Sequence, residues 1–426
     1  MKTMSELDDM IQKLCPDGVE FVKLGEVMDI SRGASPRPIY KYITEDKDGV
    51  NWIKIGDVEN NAKYITSTKE KITKEGALKS RFLHKGDFIL SNSMSFGRPY
   101  ILAIDGCIHD GWISMSNFQN VVIPDFLYHI LKSFNIQQYW RQRASSGTVS
   151  NLNADIVRNT EIPLPPLEIQ AEIVCILDKF TKLEAELEAE LDCRKRQYEF
   201  YRDQLLSFDK LTPSERNNIV WKKLSEVGTF IRGKRFVRTD IVEQGVPCIH
   251  YGDIYTYYGL TAHTTRTCLL PEKAEKMRFA QKNDVIIVAA GENNMDIGVG
   301  VAWLGEEKVA VHDACFIFRS ELNPRYLSHF LRSSDYHLQI KKYVSEGKIC
   351  SISAQNLGKA VIAIPSLEEQ ERRANVLDRF EALTTSLQHG LPAEITARRQ
   401  QYEYYRDKLL DFKRKNVQTE SNKACF

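Results

Sequence analysis

Much of this chain repeats itself at a distance of about 200 residues, which restricts the fold to two copies of one plan. Val22-Lys-Leu-Gly-Glu-Val27, followed by Arg32-Gly33, returns as Lys222-Lys-Leu-Ser-Glu-Val227 with Arg232-Gly233. Ile53-Lys-Ile-Gly-Asp57 returns as Ile249-His-Tyr-Gly-Asp253, Lys85-Gly-Asp-Phe-Ile89 as Lys282-Asn-Asp-Val-Ile286, and His109-Asp110 as His312-Asp313. Leu127-Tyr-His129 and Leu327-Ser-His329 then open matching helical patterns, which Gly147 and Gly347 close.

Each copy runs on into a long helical stretch. The first, 163–208, begins Pro-Leu-Pro-Pro-Leu-Glu-Ile-Gln and continues without Gly or Pro to Phe208. Pro165 and Pro166 suit a helix start, where a missing N–H costs nothing, and Glu168 and Glu172 complement its positive end. Ile173, Ile176, Phe180, Leu183 and Leu187 recur in steps of three and four, and Arg194, Tyr198, Tyr201, Leu205 and Phe208 resume the pattern, as the seam of a coiled coil does. A helix of that length spans roughly 60 Å at 1.5 Å per residue and needs a partner. The second stretch supplies one: Leu367-Glu-Glu-Gln370 and Tyr402-Glu-Tyr-Tyr-Arg-Asp-Lys-Leu-Leu-Asp-Phe412 repeat the first. Gly390 and Pro392 lie between these motifs, so two collinear helices with a break are expected there. A plain surface helix in each domain is the alternative.

The globular parts mix short β patterns, such as Asp87-Phe-Ile-Leu-Ser91 and Asp284-Val-Ile-Ile-Val-Ala289, with Gly- and Asn-rich turns, giving an α+β class with twisted sheets. The expected division is a globular domain at 1–162, a coiled-coil helix at 163–208, a linker at 209–216, a second globular domain at 217–362, a second coiled-coil helix at 363–413 and a polar tail at 414–426. The frames agree but the loops differ: Ser91-Asn-Ser-Met-Ser-Phe-Gly-Arg98 stands where the other copy has Ala290-Gly-Glu-Asn-Asn-Met-Asp-Ile-Gly298. Two sites of one kind, reading two different things, fit that pattern.

Charge balances over the 426 residues, 58 basic against 57 acidic, which excludes a uniformly basic chain. Locally it does not. Between Lys63 and Arg98 eight basic residues face three acidic ones, and Arg232-Gly-Lys-Arg-Phe-Val-Arg238 opens the second copy. Such clusters suit DNA phosphates, with Ser, Asn, Arg and Tyr of neighbouring loops suited to base edges. A solvated surface is the plain alternative. The candidate DNA-binding residues are Arg32, Arg37, Lys63, Ser91, Asn92, Ser93 and Arg98, with Ser146, Thr148 and Asn151 in the loop after the globular helices. In the second copy they are Arg232, Lys234, Arg235, Arg238, His250, Tyr251, Asn293, Asn294, Lys348 and Ser351.

Signatures of catalysis are missing. There is no Gly-x4-Gly-Lys-Ser/Thr loop, no Gly-x-Gly-x-x-Gly after a strand, and no Asn-Pro-Pro-aromatic stretch of an amino-methyltransferase. His109-Asp110 and His312-Asp313 have no adjacent nucleophile and read as turn or sheet-edge residues. No cofactor or metal is expected. Nine cysteines form no Cys-x-x-Cys pair, no signal peptide is apparent, and no apolar run approaches the ~20 residues that cross a bilayer, so a reduced cytoplasm is the expected compartment.

With Pro-Leu-Pro-Pro-Leu-Glu-x-Gln170, Gly390-Leu-Pro-Ala-Glu-Ile395 and Gln401-Tyr-Glu-Tyr-Tyr-Arg-Asp-Lys-Leu-Leu410 set in a duplicated frame, the chain resembles the DNA-specificity subunits of bacterial type I restriction-modification systems, from Leu14 to Phe412. The resemblance implies two target-recognition domains, each reading one half of a bipartite double-stranded DNA site, and an antiparallel coiled coil as spacer. It implies two methylation subunits docked on the chain and restriction subunits joined through them, the chain itself being non-catalytic. One departure is Gly390-Leu-Pro392, where the first stretch has a Leu-Glu-Ala-Glu tandem, and this puts strict symmetry of the docking surfaces in doubt. A self-contained methyltransferase or nuclease, or a structural coiled-coil scaffold, are the readings from other classes.

Overall fold

The computed structural model describes residues 4–58, 62–92, 96–144, 151–208, 219–385 and 390–415. In chain order the helices of seven residues or more are α1 (Met4–Leu14), α2 (Pro124–Leu131), α3 (Phe134–Arg143), α4 (Leu167–Ser207), α5 (Pro324–Phe330), α6 (Ser334–Lys341), α7 (Leu367–Thr385) and α8 (Leu391–Leu409). The chain divides into two compact units, Met1–Ala185 with Thr396–Phe426, and Glu186–Ile395. The divisions fall inside α4 and α8, so each unit owns one globular part and a piece of each long helical stretch.

The duplicated frame is a duplicated strand order. In the first unit one five-stranded sheet runs Asp29–Arg32, Trp112–Ser116, Phe88–Ser91, Pro99–Leu102, Tyr64–Ile65, and a second runs Ile43–Thr44, Glu70–Ile72, Val50–Ile53, Gly106–Ile108, Arg81–Leu83. The second unit repeats both orders strand for strand: Gly228–Arg232, Cys315–Ser320, Val285–Val288, Gly300–Trp303, Thr261–Ala262, and Ile241–Val242, Thr267–Leu269, Val246–Ile249, Val309–Val311, Phe279–Ala280. Both sheets are mixed, with parallel pairs such as Cys107 on Trp52 and its counterpart Ala310 on Cys248. Phe88–Ser91 and Val285–Val288 are buried at every position, which is why they read as apolar runs rather than alternations.

The long helical stretches hold the globular parts through residues that the sequence repeats. Gln170 and Gln370 are buried at the starts of α4 and α7. The amide oxygen of Gln170 accepts from Ile123 N at 2.9 Å and its amide donates to Pro165 O at 2.8 Å; Gln370 does the same with Asn323 N and Pro365 O, both at 2.9 Å. This is what the Pro-x-Leu-Glu-x-Gln motif does: it ties the helix start to the start of α2 or α5. Further along, Asp407 and Asp203 cap α3 and α6, accepting from Phe134 N and Ser334 N at 3.1 Å each. An acceptor at a helix N-terminus satisfies one of its unpaired N–H groups and meets the positive end of its dipole.

Between these anchors lies a buried relay, built twice. In the first unit Nδ1 of His129 is 2.8 Å from the Tyr402 hydroxyl and its Nε2 is 3.0 Å from Asp178 Oδ1. In the second, Nδ1 of His329 is 3.0 Å from the Tyr198 hydroxyl and its Nε2 is 2.7 Å from Asp378 Oδ1. Both imidazoles are fully buried, and burial holds each of them below the usual histidine range. A neutral ring fits both partners: Nε2–H donates to the carboxylate, and bare Nδ1 accepts the phenol hydrogen. A cation completes each carboxylate, Lys63 on Asp178 at 3.0 Å and Arg325 on Asp378 at 2.5 Å.

Within each unit the helical pieces run antiparallel. Phe180 stacks on Tyr405 with ring centroids 5.4 Å apart, and Glu184 pairs with Arg399 at 2.6 Å. In the second unit Tyr201 stacks on Phe380 at 5.3 Å, and the Arg373 guanidinium donates to Leu205 O. The expected seam is therefore shared. Phe180 and Tyr201 do face a helix, but Ile173 belongs to a globular core and Tyr198 turns to His329. The first helix starts at Leu167, after the prolines, and ends at Ser207; Phe208 has a positive φ of 58° and lies under the Arg373 guanidinium. In the second stretch α7 ends at Thr385 and α8 starts after Gly390, whose carbonyl accepts from Ala393 N and Glu394 N. Residues 386–389 lie outside the described residues.

Candidate nucleic-acid interface

In each unit the close of one sheet gathers three chain segments into one patch. The Arg-Gly motif comes first. A Cβ on Gly33 would stand 2.1 Å from His109 O, and one on Gly233 would stand 2.1 Å from His312 O, so only glycine lets these strands pass the His-Asp turns. The neighbouring arginines then reach the same turns, Arg32 Nε donating to Asp110 O and Arg232 Nε to Asp313 O, each at 3.0 Å. The histidines stabilise the turns: His109 Nδ1 accepts from Gly111 N at 2.7 Å, and His312 Nδ1 from Ala314 N at 3.1 Å. That is the turn role expected of them.

The loops after the central strands join this patch. Asn92 N donates to Gly111 O, its side-chain amide donates to Asp110 O at 3.1 Å, and its own carbonyl accepts from Leu152 N, which places Asn151 beside it. In the second unit Ala290 and Gly291 pair with Ser351 and Cys350, bringing Asn293 and Asn294 near the 345–351 loop. Arg37, Asn151, Lys234, Arg235, Arg238, Asn293, Asn294 and Lys348 are all exposed. Arg37 lies 3.6 Å from Asp110.

Beside the second patch four rings cluster. His250 and His312 have centroids 4.5 Å apart, Tyr251 lies 4.4 Å from His250, and Phe236 meets His312 edge-on at 4.9 Å. Burial lowers both histidine pKa values, and both rings are only partly exposed. The first unit has Lys54 and Ile55 where the second has His250 and Tyr251, so the two patches differ in chemistry on one frame.

Not every predicted residue reaches the surface. Lys63 is turned inward, its ammonium 2.6 Å from Asp125 and 3.0 Å from Asp178, so it serves the relay rather than a phosphate. Ser91 is fully buried in its strand, and Asn92 is all but buried, its amide spent on Asp110. Other lysines of the 63–98 cluster are tied locally, Lys71 to Lys47 O and Lys79 to Glu75 and the Tyr42 hydroxyl. Ser351 is half-buried, its carbonyl accepting from Ser345 Oγ. Ser93, Ser146 and Thr148 lie outside the described residues, as does Gly147. Among the described residues no group of His, Cys, Asp and Glu is arranged to hold a metal, and no helix is long and apolar enough to cross a membrane.

A duplicated mixed-sheet frame with variable loops, carried on paired antiparallel helices, defines a two-part recognition protein. The chain belongs to the family of type I restriction modification DNA specificity domains, whose profile matches residues 16–192 and 218–397. It is 35% identical over 268 residues to the EcoR124I/EcoR124II type I restriction enzyme specificity subunit of Escherichia coli, covering 59% of this chain and 63% of that protein. A putative type I restriction enzyme specificity subunit of Haemophilus influenzae is 29% identical over 355 residues, covering 78% of this chain and 84% of the relative. Among solved structures, a chain from a study of assembly and conformational transition of the type I R-M system superposes with a TM-score of 0.64 at 18% identity, covering 92% of this chain and 97% of that one. That likeness concerns the fold.

Proposed function

We propose that this chain is the sequence-reading subunit of a type I restriction-modification complex, with no catalytic centre of its own. Each globular part reads one half of a bipartite double-stranded DNA site, and the paired helices set the spacer between the halves and dock two methylation subunits. Restriction subunits join through the methylation complex, in the cytoplasm. The observation that carries this reading is the pair of patches with one strand order and different side chains, Lys54 and Ile55 against His250 and Tyr251. Arg37, Asn151, Arg232, Lys234, Arg235, Arg238, Asn293 and Lys348, all exposed, are the residues we assign to phosphates and base edges.

The test is to exchange residues 20–160 for those of a relative, supply methylation subunits and map the methylated sites. One half of the site should change and the other stay. A change in both halves, or in neither, contradicts independent reading.

A further inference from the structure

The imidazole of His250 carries a donor that the fold of the second unit does not use. Its backbone is fixed on both sides: Ile249 O accepts from His312 N at 3.2 Å, and His250 O accepts from Asp253 N at 3.0 Å. The side chain caps the helix Tyr251–Thr256, Nδ1 accepting from Gly252 N at 3.3 Å. A bare Nδ1 puts the hydrogen of a neutral ring on Nε2. The neighbouring His312 has the same tautomer but spends both nitrogens, Nδ1 on Ala314 N at 3.1 Å and Nε2–H on Phe236 O at 3.2 Å. Among the described residues no acceptor meets Nε2–H of His250, whose ring packs against Tyr251, Phe236 and His312 and is only partly buried.

The repeat shows that the frame does not need this ring. In the first unit the position belongs to Lys54, whose ammonium is tied to Glu70 at 2.6 Å, and Ile55 stands for Tyr251. The helix that His250 caps lies beside the strand Ala290–Gly291, which leads to Asn293 and pairs with Cys350 and Ser351. The spare donor therefore sits where the variable loops of this unit come together.

What such a group can recognise follows from its charge. Protonating Nδ1 would cost the bond from Gly252, and burial also disfavours the cation, so the ring is a neutral donor. The charges that act on it are the carboxylates of Asp253, with Arg266 at 4.0 Å, and Asp313. Carboxylates oppose a phosphate oxygen at the same spot. An uncharged acceptor fits instead, and the major groove offers these as purine N7, guanine O6 and thymine O4.

We propose that His250 is a specificity-determining residue of the second unit, its Nε2–H donating to an acceptor on the major-groove edge of a base rather than to a phosphate. It rests on the reading of the chain as a DNA-recognition subunit.

The test uses the full chain assembled with methylation subunits and a duplex carrying the mapped bipartite site. The half that exchange of residues 20–160 leaves unchanged belongs to the second unit. His250→Ser and His250→Thr both keep an oxygen that can accept from Gly252 N and remove the ring donor. Binding of the wild type and both variants is measured against salt, on the mapped site and on duplexes with each base pair replaced in turn. Each variant should bind the mapped site roughly 2–13-fold more weakly, the worth of one neutral hydrogen bond. That loss should vanish on duplexes replaced at one pair of the second unit's half, with the first half's preferences kept and the slope of log K against log salt unchanged. A loss equal on all sequences with a slope smaller by about 0.9 marks a phosphate contact and overturns the proposal. So does no loss in either variant, and so does a loss of preference in both halves, which marks a purely structural ring. A wild-type complex that binds no bipartite duplex refutes the DNA-recognition reading itself, and this proposal with it.

Discussion

The buried relay makes a quantitative prediction about how the helical stretch is held to its globular part. Tyr402→Phe removes only the hydroxyl that Nδ1 of His129 accepts at 2.8 Å, leaving a fully buried ring nitrogen without a donor. An orphaned buried acceptor costs about 1–3 kcal/mol. For a unit of this size each kcal/mol lowers the melting temperature by roughly 2–4 °C. His129→Ala should cost more, about 3–5 kcal/mol, because it leaves a cavity and breaks the bonds to both Tyr402 and Asp178. The decisive measurement is the double variant. The hydroxyl's contact with the Arg406 side chain is lost in either background, so Tyr402→Phe should cost less when His129 is already Ala, the difference being the histidine bond, a coupling of about 1–2 kcal/mol. Tyr198→Phe with His329→Ala should repeat this in the second unit. Calorimetry or urea unfolding of the full chain supplies the four free energies. If Tyr402→Phe costs the same with and without His129, the two groups do not interact and the relay is not what fastens the helix.

Three further outcomes follow from the same geometry. Because the folded pKa values of His129 and His329 lie below the unfolded value near 6.5, the unfolded chain takes up protons first as pH falls. Stability should therefore be complete above about pH 6.5 and decline below it, by up to ~1.4 kcal/mol per pH unit for each histidine, and unfolding midpoints at pH 7.5 and 5.5 measure this. Neutralising Arg232, Lys234, Arg235 and Arg238 together should flatten the salt dependence of duplex binding by about 0.9 per lost phosphate contact, whereas Lys63→Gln should lower the melting temperature and leave that slope unchanged. Deleting Glu184–Leu187 shortens α4 by roughly 6 Å and turns it by about 40°, while Glu188 moves into the place from which Glu184 pairs with Arg399. Methylome mapping should show both half-sites kept and the spacer between them reduced by one or two base pairs.

The duplication and the paired long helices were legible because they live in sequence periodicity: near-identical motifs 200 residues apart, and a three-four rhythm from Ile173 to Leu187 that resumes at Arg194 in a stretch without Gly or Pro. The break at Gly390 was legible for the same local reason. The relay was not. His129 meets Asp178 and Tyr402, 49 and 273 residues away, and no local pattern announces partners at such distances. A signal did exist in the recurrence of the full triple, since His329 and Asp378 follow their counterparts by 200 residues and Tyr198 stands in the other helical stretch. The candidate DNA residues show the opposite limit. Lys63, Ser91 and Asn92 have the right chemistry for phosphates and bases, but whether such a side chain faces solvent is decided by tertiary partners, here Asp125 and Asp178 for Lys63, the strand for Ser91 and Asp110 for Asn92.

The first unit is sewn from two distant lengths of chain, and this sets an order of assembly on the ribosome. Its core holds Ile169, Ile173 and Leu177 together with Tyr402, Leu409 and Phe412, while everything in the second unit lies between Glu186 and Ile395. At 5–20 residues per second, the early half of the first core waits roughly 10–40 s for the late half to be made. During that interval the second unit is being made, and the apolar face awaiting Tyr402 stays open to whatever is nearby. The chain that begins first is thus completed last, and loss of a few final helical turns would undo the domain at its other end.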